Sequence, residues 1–158
     1  MPYALLALVL VILDQVVKYL VLTYIPLGGY VPFLPHIVCL TYVQNTGAAF
    51  SMFSQHTWIL ALISLIMSVV LAVALWKNFF THPLGKVTLA LLLAGAVGNL
   101  IDRALLGYVT DMFETLFMRF AVFNVADICV VVGGIAFCVY YLFFHGKEEG
   151  HGADSVAG

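Results

Sequence analysis

Four apolar runs of about 20 residues each, at 3–25, 57–76, 87–106 and 123–144, leave this 158-residue chain few folds to choose from. A helix rising 1.5 Å per residue needs roughly 20 apolar residues to cross a hydrocarbon core about 30 Å thick, and each run meets that length. Hydrophobic residues make up 64% of the chain and charged residues only 9%, against about 25% charged in soluble domains. The expected fold is an all-α polytopic membrane protein with four transmembrane helices, forming one domain over 1–144. Six Lys and Arg residues and a net charge of −2 exclude the clustered basic surface on which nucleic-acid binding depends. Cys39, Cys129 and Cys138 show no CxxC or Cys/His metal spacing, and the two in apolar spans are expected to be buried.

The first run competes with a signal peptide but lacks a basic start and a small-x-small site before Pro26, so it is predicted to be a retained helix. Asp14 and Lys18 lie four apart inside it and share a face, where pairing lowers the insertion cost of both. From 26 to 56, glycines, prolines and short β-branched or aromatic runs predict a small extracytoplasmic β-rich segment that ends in Asn45-Thr-Gly-Ala-Ala-Phe50-Ser51. The second run has no charge and a Trp near each end, as interfacial anchoring requires. Residues 77–86 form a short polar connection, and 107–122 an amphipathic outer surface loop with a strand-like Tyr108-Val109-Thr110. The tail, 145–158, has no apolar period and is predicted to be disordered and cytoplasmic. Lys77, Lys86 and Lys147 against Arg103 and Arg119 give a small positive-inside bias that places both termini in the cytoplasm.

Five of the eight acidic residues, Asp14, Asp102, Asp111, Glu114 and Asp127, fall in the hydrophobic body. A carboxylate at membrane depth costs a few kcal/mol or more, so such residues are functional candidates, with a buried ion pair as the plain alternative. The spacing Asn-x-x-Asp occurs twice, as Asn99/Asp102 late in the third run and Asn124/Asp127 at the start of the fourth. Asn124 suits a helix N-cap and Asp127 the first turn, where the helix dipole favours an acid. Asp102 sits near a helix C-terminus, where the dipole disfavours it, and so needs another partner. Arg103 is adjacent but on a different face, free to reach a loop acid or a lipid phosphate. Two carboxyls in a partly dry site cannot both stay charged cheaply, which leaves one as base and one as acid, the equipment of an aspartic protease without a cofactor. HExxH and GxSxG are absent, and His36 and His56 are read as solvated loop residues.

Taken together, Asp14-Gln15-x-x-Lys18, Asn45-Thr46-Gly47-Ala48-Ala49-Phe50-Ser51, Gly98-Asn99-x-x-Asp102-Arg103, Val109-Thr110-Asp111 and Phe123-Asn124-Val125-Ala126-Asp127 resemble the motif series of the bacterial lipoprotein signal peptidases. The resemblance implies an endopeptidase of the bacterial cytoplasmic (inner) membrane, working near its outer face. It would cut a prolipoprotein just before its diacylglyceryl-modified cysteine. It implies Asp111 and Asp127 as the catalytic pair, with Asp14, Asn45, Asn99, Asp102, Arg103 and Asn124 as supporting or substrate-positioning residues. Membrane lipid is the expected surrounding partner, the protein is expected to be monomeric, and no metal or other cofactor is expected. Thr110 and Met112 stand where the family has Val and Phe, and Ala94 where it commonly has Gly. The residues alone do not select Asp111 over Asp102 as the partner of Asp127. The competing reading is a small proton-coupled transporter or channel subunit, whose acids would line a path across the bilayer. Here only Asp14 is placed mid-span.

Overall fold

A computed structural model describes residues 2–47 and 57–145. Four helices, α1 (Pro2–Tyr24), α2 (Thr57–Trp76), α3 (Pro83–Leu105) and α4 (Val125–Tyr140), are joined by three strands, β1 (Tyr30–Leu34), β2 (Val38–Asn45) and β3 (Val109–Thr115). A π-helical turn, Tyr141–His145, extends α4. All four helices are long and apolar enough to cross a membrane once α4 is counted to Phe144. They are apolar nearly all round, so most large side chains on α1, α2 and α4 face outward, as lipid-facing residues do. Cys138 is one of these outward residues, contrary to the burial expected of it, whereas Cys129 is buried.

Local chemistry sets the helix ends. Asn78 adopts φ +50° after α2, and the bonds Phe79 N–H to Ala74 O (2.9 Å) and Asn78 N–H to Leu75 O (3.2 Å) make a Schellman cap. Expected to begin at 87, α3 begins four residues earlier, because His82 Nδ1 accepts from the Leu84 amide (3.1 Å) and Pro83 occupies the first turn. That start takes 83–86 out of the polar connection. The left-handed Gly107, φ +78°, stops the chain after α3 and turns it into β3.

The strands form one antiparallel sheet in the order β1-β2-β3. The 107–122 segment is therefore not merely a surface loop: seven of its residues complete the sheet, with Val43 opposite Asp111 and Asn45 opposite Val109. Met112 is fully buried against Val21, Ile25 and Tyr42, so β3 is clamped between the sheet and the end of α1. Close helix packing underlies the site. A Cβ on Gly95 would lie 2.5 Å from Ala126 O, and one on Gly98 would lie 2.7 Å from an Asp14 oxygen. These two positions let α3 approach both α4 and α1, around a small-residue core of Ala7, Ala90, Ala94 and Cys129.

Candidate active site

The middle of α1, the facing ends of α3 and α4, and the strands β2 and β3 bring together every candidate residue predicted among the described ones. Asp14, Lys18, Asn99, Asp102, Asp111 and Asn124 are buried, in a region that is otherwise apolar. Such groups persist only when paired, and the pairing here is dense.

Asn124 is the hinge of the arrangement. As N-cap of α4 its Oδ1 accepts from the Asp127 amide (2.9 Å), and its own amide donates to Asp127 Oδ2 (3.2 Å), a reciprocal capping box. Because that Oδ1 is committed as acceptor, Nδ2 must donate elsewhere. It reaches Asp111 Oδ1 at 2.7 Å and Asn99 Oδ1 at 3.1 Å. One residue thus bonds both carboxyl groups of the pair Asp111 and Asp127. Asn99 Nδ2 donates to the other Asp127 oxygen (2.8 Å), and Asn45 Nδ2 to Asp111 Oδ2 (2.9 Å), while Asn45 Oδ1 accepts from the Gly47 amide (3.0 Å).

Burial pushes the Asp111 carboxyl up from the ordinary range to about 6, opposed by the Asn45 and Asn124 hydrogen bonds and reinforced by the Asp127 charge. A carboxyl raised in this way keeps its proton closer to neutral pH than an ordinary aspartic acid does.

Asp111 and Asp127 line one cavity of about 450 Å³ together with Asn45, Asn99 and Arg103. Its remaining wall is apolar, formed by residues 120–123 and by Ile128 and Val131 on the outward side of α4. Among the described residues Arg103 forms no ion pair: Nη1 donates to Ser64 on α2 (3.3 Å), and its buried Nε has no hydrogen-bond partner there. A donor left open beside a cavity is suited to a ligand carbonyl.

The other predicted residues lie one layer away. Asp14 Oδ1 accepts from the Ala126 amide (2.8 Å) and Asp102 Oδ2 from the Thr110 amide (2.8 Å). Lys18 bonds both carboxylates, at 2.9 Å and 3.3 Å. This answers which partner Asp102 needs at a helix C-terminus: the cation comes from α1, not from the adjacent Arg103. Gln15 also spans the layer, its Nε2 within 3.2 Å of Asp14, Asp102 and Gly98 O. Lys18 and Gln15 are not among the predicted site residues, although their spacing from Asp14 on α1 is the available signal. Glu114 lies on β3 rather than in a loop and accepts from the Cys39 thiol (3.5 Å). Residues 48–51 of the Asn45 motif, His56 and most of the 145–158 tail lie outside the described residues.

The family profile described as Signal peptidase (SPase) II matches residues 6–144. The lipoprotein signal peptidase of Enterococcus faecalis (strain ATCC 700802 / V583) is 44% identical over 140 residues, covering 89% of this chain and 87% of the relative. That of Clostridioides difficile (strain 630) is 37% identical over 149 residues, covering 94% of this chain and 100% of its own length. A solved bacterial membrane enzyme, determined by the in meso method at 2.3 Å resolution, superposes with a TM-score of 0.84 at 33% identity, covering 89% of this chain and 87% of that one. With the profile spanning nearly the whole helical body, the protein belongs to the signal peptidase II family and is a multi-pass membrane protease of the aspartic type.

Proposed function

We propose that the protein removes signal peptides from diacylglyceryl-modified prolipoproteins, cutting on the N-terminal side of the lipidated cysteine with Asp111 and Asp127 as the catalytic pair. The ionised carboxyl takes a proton from water as the water oxygen bonds to the scissile carbonyl carbon. The protonated carboxyl donates to the carbonyl oxygen, giving a neutral tetrahedral diol. The C–N bond then breaks as a proton passes to the departing amine. Asn45, Asn99 and Asn124 hold the carboxyl oxygens in place, and Arg103 Nε receives a substrate carbonyl. Lipid and signal-peptide chains lie along the apolar wall on α4. In this reading, residues 1–144 form one monomeric domain in the cytoplasmic membrane with cytoplasmic termini, and the pair works near the outer face.

The observation that carries the proposal is the double engagement of Asn124, which bonds Asp111 and Asp127 at the head of an apolar cavity. Acids arranged for transport would be spread along a path, whereas Asp111 and Asp127 share one end. The test is incubation of the purified protein with a diacylglyceryl-modified preprotein and with its unlipidated form. Cleavage of the lipidated form alone is expected. Equal cleavage of both, or of neither, contradicts the proposal.

A further inference from the structure

The two acids behind the catalytic pair are placed in parallel. Asp14, from α1, accepts the amide of Ala126, the residue just before Asp127, and Asp102, from α3, accepts the amide of Thr110, the residue just before Asp111. Each proposed catalytic aspartate therefore hangs from a backbone amide held by a second, buried carboxylate. Lys18 Nζ touches both of these supports, 2.9 Å from Asp14 and 3.3 Å from Asp102, and donates to Asn99 Oδ1 at 3.2 Å. Since an ammonium only donates, it holds the Asn99 oxygen toward itself and the Asn99 NH2 toward Asp127.

We infer that Lys18 is a positioning residue for the peptidase reaction, a single cation that bridges both supporting carboxylates and so fixes the backbone on which Asp111 and Asp127 stand. The inference rests on the catalytic pair proposed above. Two buried carboxylates facing one another without a cation would not both remain charged. The one that took a proton would become the weaker acceptor for its amide. Its catalytic aspartate would then be released, and a displacement of about 1 Å can cost about 100-fold in rate. Ground-state substrate contacts, made by the cavity wall and Arg103, would be spared.

The test measures kcat and KM on a diacylglyceryl-modified preprotein for Lys18→Met, Lys18→Met/Asp14→Asn and, as a control, Asp127→Asn. Lys18→Met should lose about 100-fold in kcat with KM within about threefold. The double variant should recover at least about tenfold of that loss, because the carboxamide that replaces the Asp14 carboxylate can still accept the Ala126 amide and no second carboxylate faces Asp102. A role in filling space alone predicts a double variant no better than the single one. If Lys18→Met fails to fold, the double variant decides, and it should fold and run within about tenfold of the parent. Parental kcat in Lys18→Met, no recovery in the double variant, or failure of both to fold would overturn the role of Lys18. An active Asp127→Asn enzyme would instead overturn the catalytic pair itself.

Discussion

The spacing Asn-x-x-Asp appears at the end of α3 and again at the start of α4, and the two copies are stabilised by opposite means. At α4 the satisfaction is local: Asn124 caps the helix, Asp127 returns the capping bond, and the helix dipole favours its charge. At α3 nothing local helps. Asp102 lies in the last turn, where the dipole opposes it, and is held by Lys18 of α1 and the Thr110 amide of β3. Asp127 is consequently left with an edge toward the cavity, while Asp102 is spent on the backbone behind it. On the proposed catalytic pair, the same four-residue pattern supplies one reactive group and one support, and tertiary partners decide which is which.

Removing Asp102 should break that contrast most severely. Asp102→Ala leaves Lys18 paired with Asp14 alone and leaves the buried Thr110 amide without its acceptor, so a stability loss of about 2–3 kcal/mol is expected, with residual cleavage down about 100-fold. Thermal unfolding in detergent and a cleavage assay measure the two effects. Unchanged stability would mean that Asp102 is not the support described. Asn124→Ala removes a local cap and should cost only about 1–2 kcal/mol, yet it takes the side-chain donor from Asp111 and the acceptor from the Asp127 amide, so activity should fall about 100-fold. Loss of stability without loss of activity would reduce Asn124 to a cap.

The pH dependence sharpens the contrast further. Asp111 has its folded-state pKa raised, from 3.8 to about 6. Its contribution to stability is complete below pH about 4 and is lost as pH rises through about 6, amounting to on the order of 3 kcal/mol for a shift of about two units. The parent should therefore melt higher at pH 5 than at pH 7.5, and the gap should shrink in Asp111→Asn. The smallest effect belongs to Glu114, which accepts from the Cys39 thiol, itself pushed up first by burial and then by Glu114. Glu114→Gln should keep activity within about threefold, because Glu114 bonds no member of the pair. A loss beyond tenfold would extend the site along β3.

Much of this is legible in the sequence because the signals are local. Apolar length gives the four helices, and Asn124 with Asp127 announces a capped helix start. Asp14 and Lys18 announce a shared face. The early start of α3 escapes the sequence because a cap made by His82 with Pro83 competes with a polar composition that reads as a loop. The role of β3 escapes it for a different reason. Its docking on β2 lets the side chains of Asn45 and Asp111, 66 positions apart, bond one another, and no periodicity within a short segment encodes a partner so distant. The residues alone leave Asp102 and Asp111 undivided on the same ground, since only the fold turns one toward the cavity and the other toward Lys18. Thr110 and Met112, the positions at which the motif resemblance is imperfect, are both fully buried.

The central claim is that Asp111 and Asp127 form one catalytic unit. Its most direct test is cleavage of a diacylglyceryl-modified preprotein by Asp111→Asn, Asp127→Asn and the double variant, each confirmed to be folded. Groups that act as one unit are not additive, so either single change should abolish turnover, by about 1,000-fold or more, and the double variant should be no worse than the singles. Parental activity in either single variant, or losses that multiply in the double, would contradict the account.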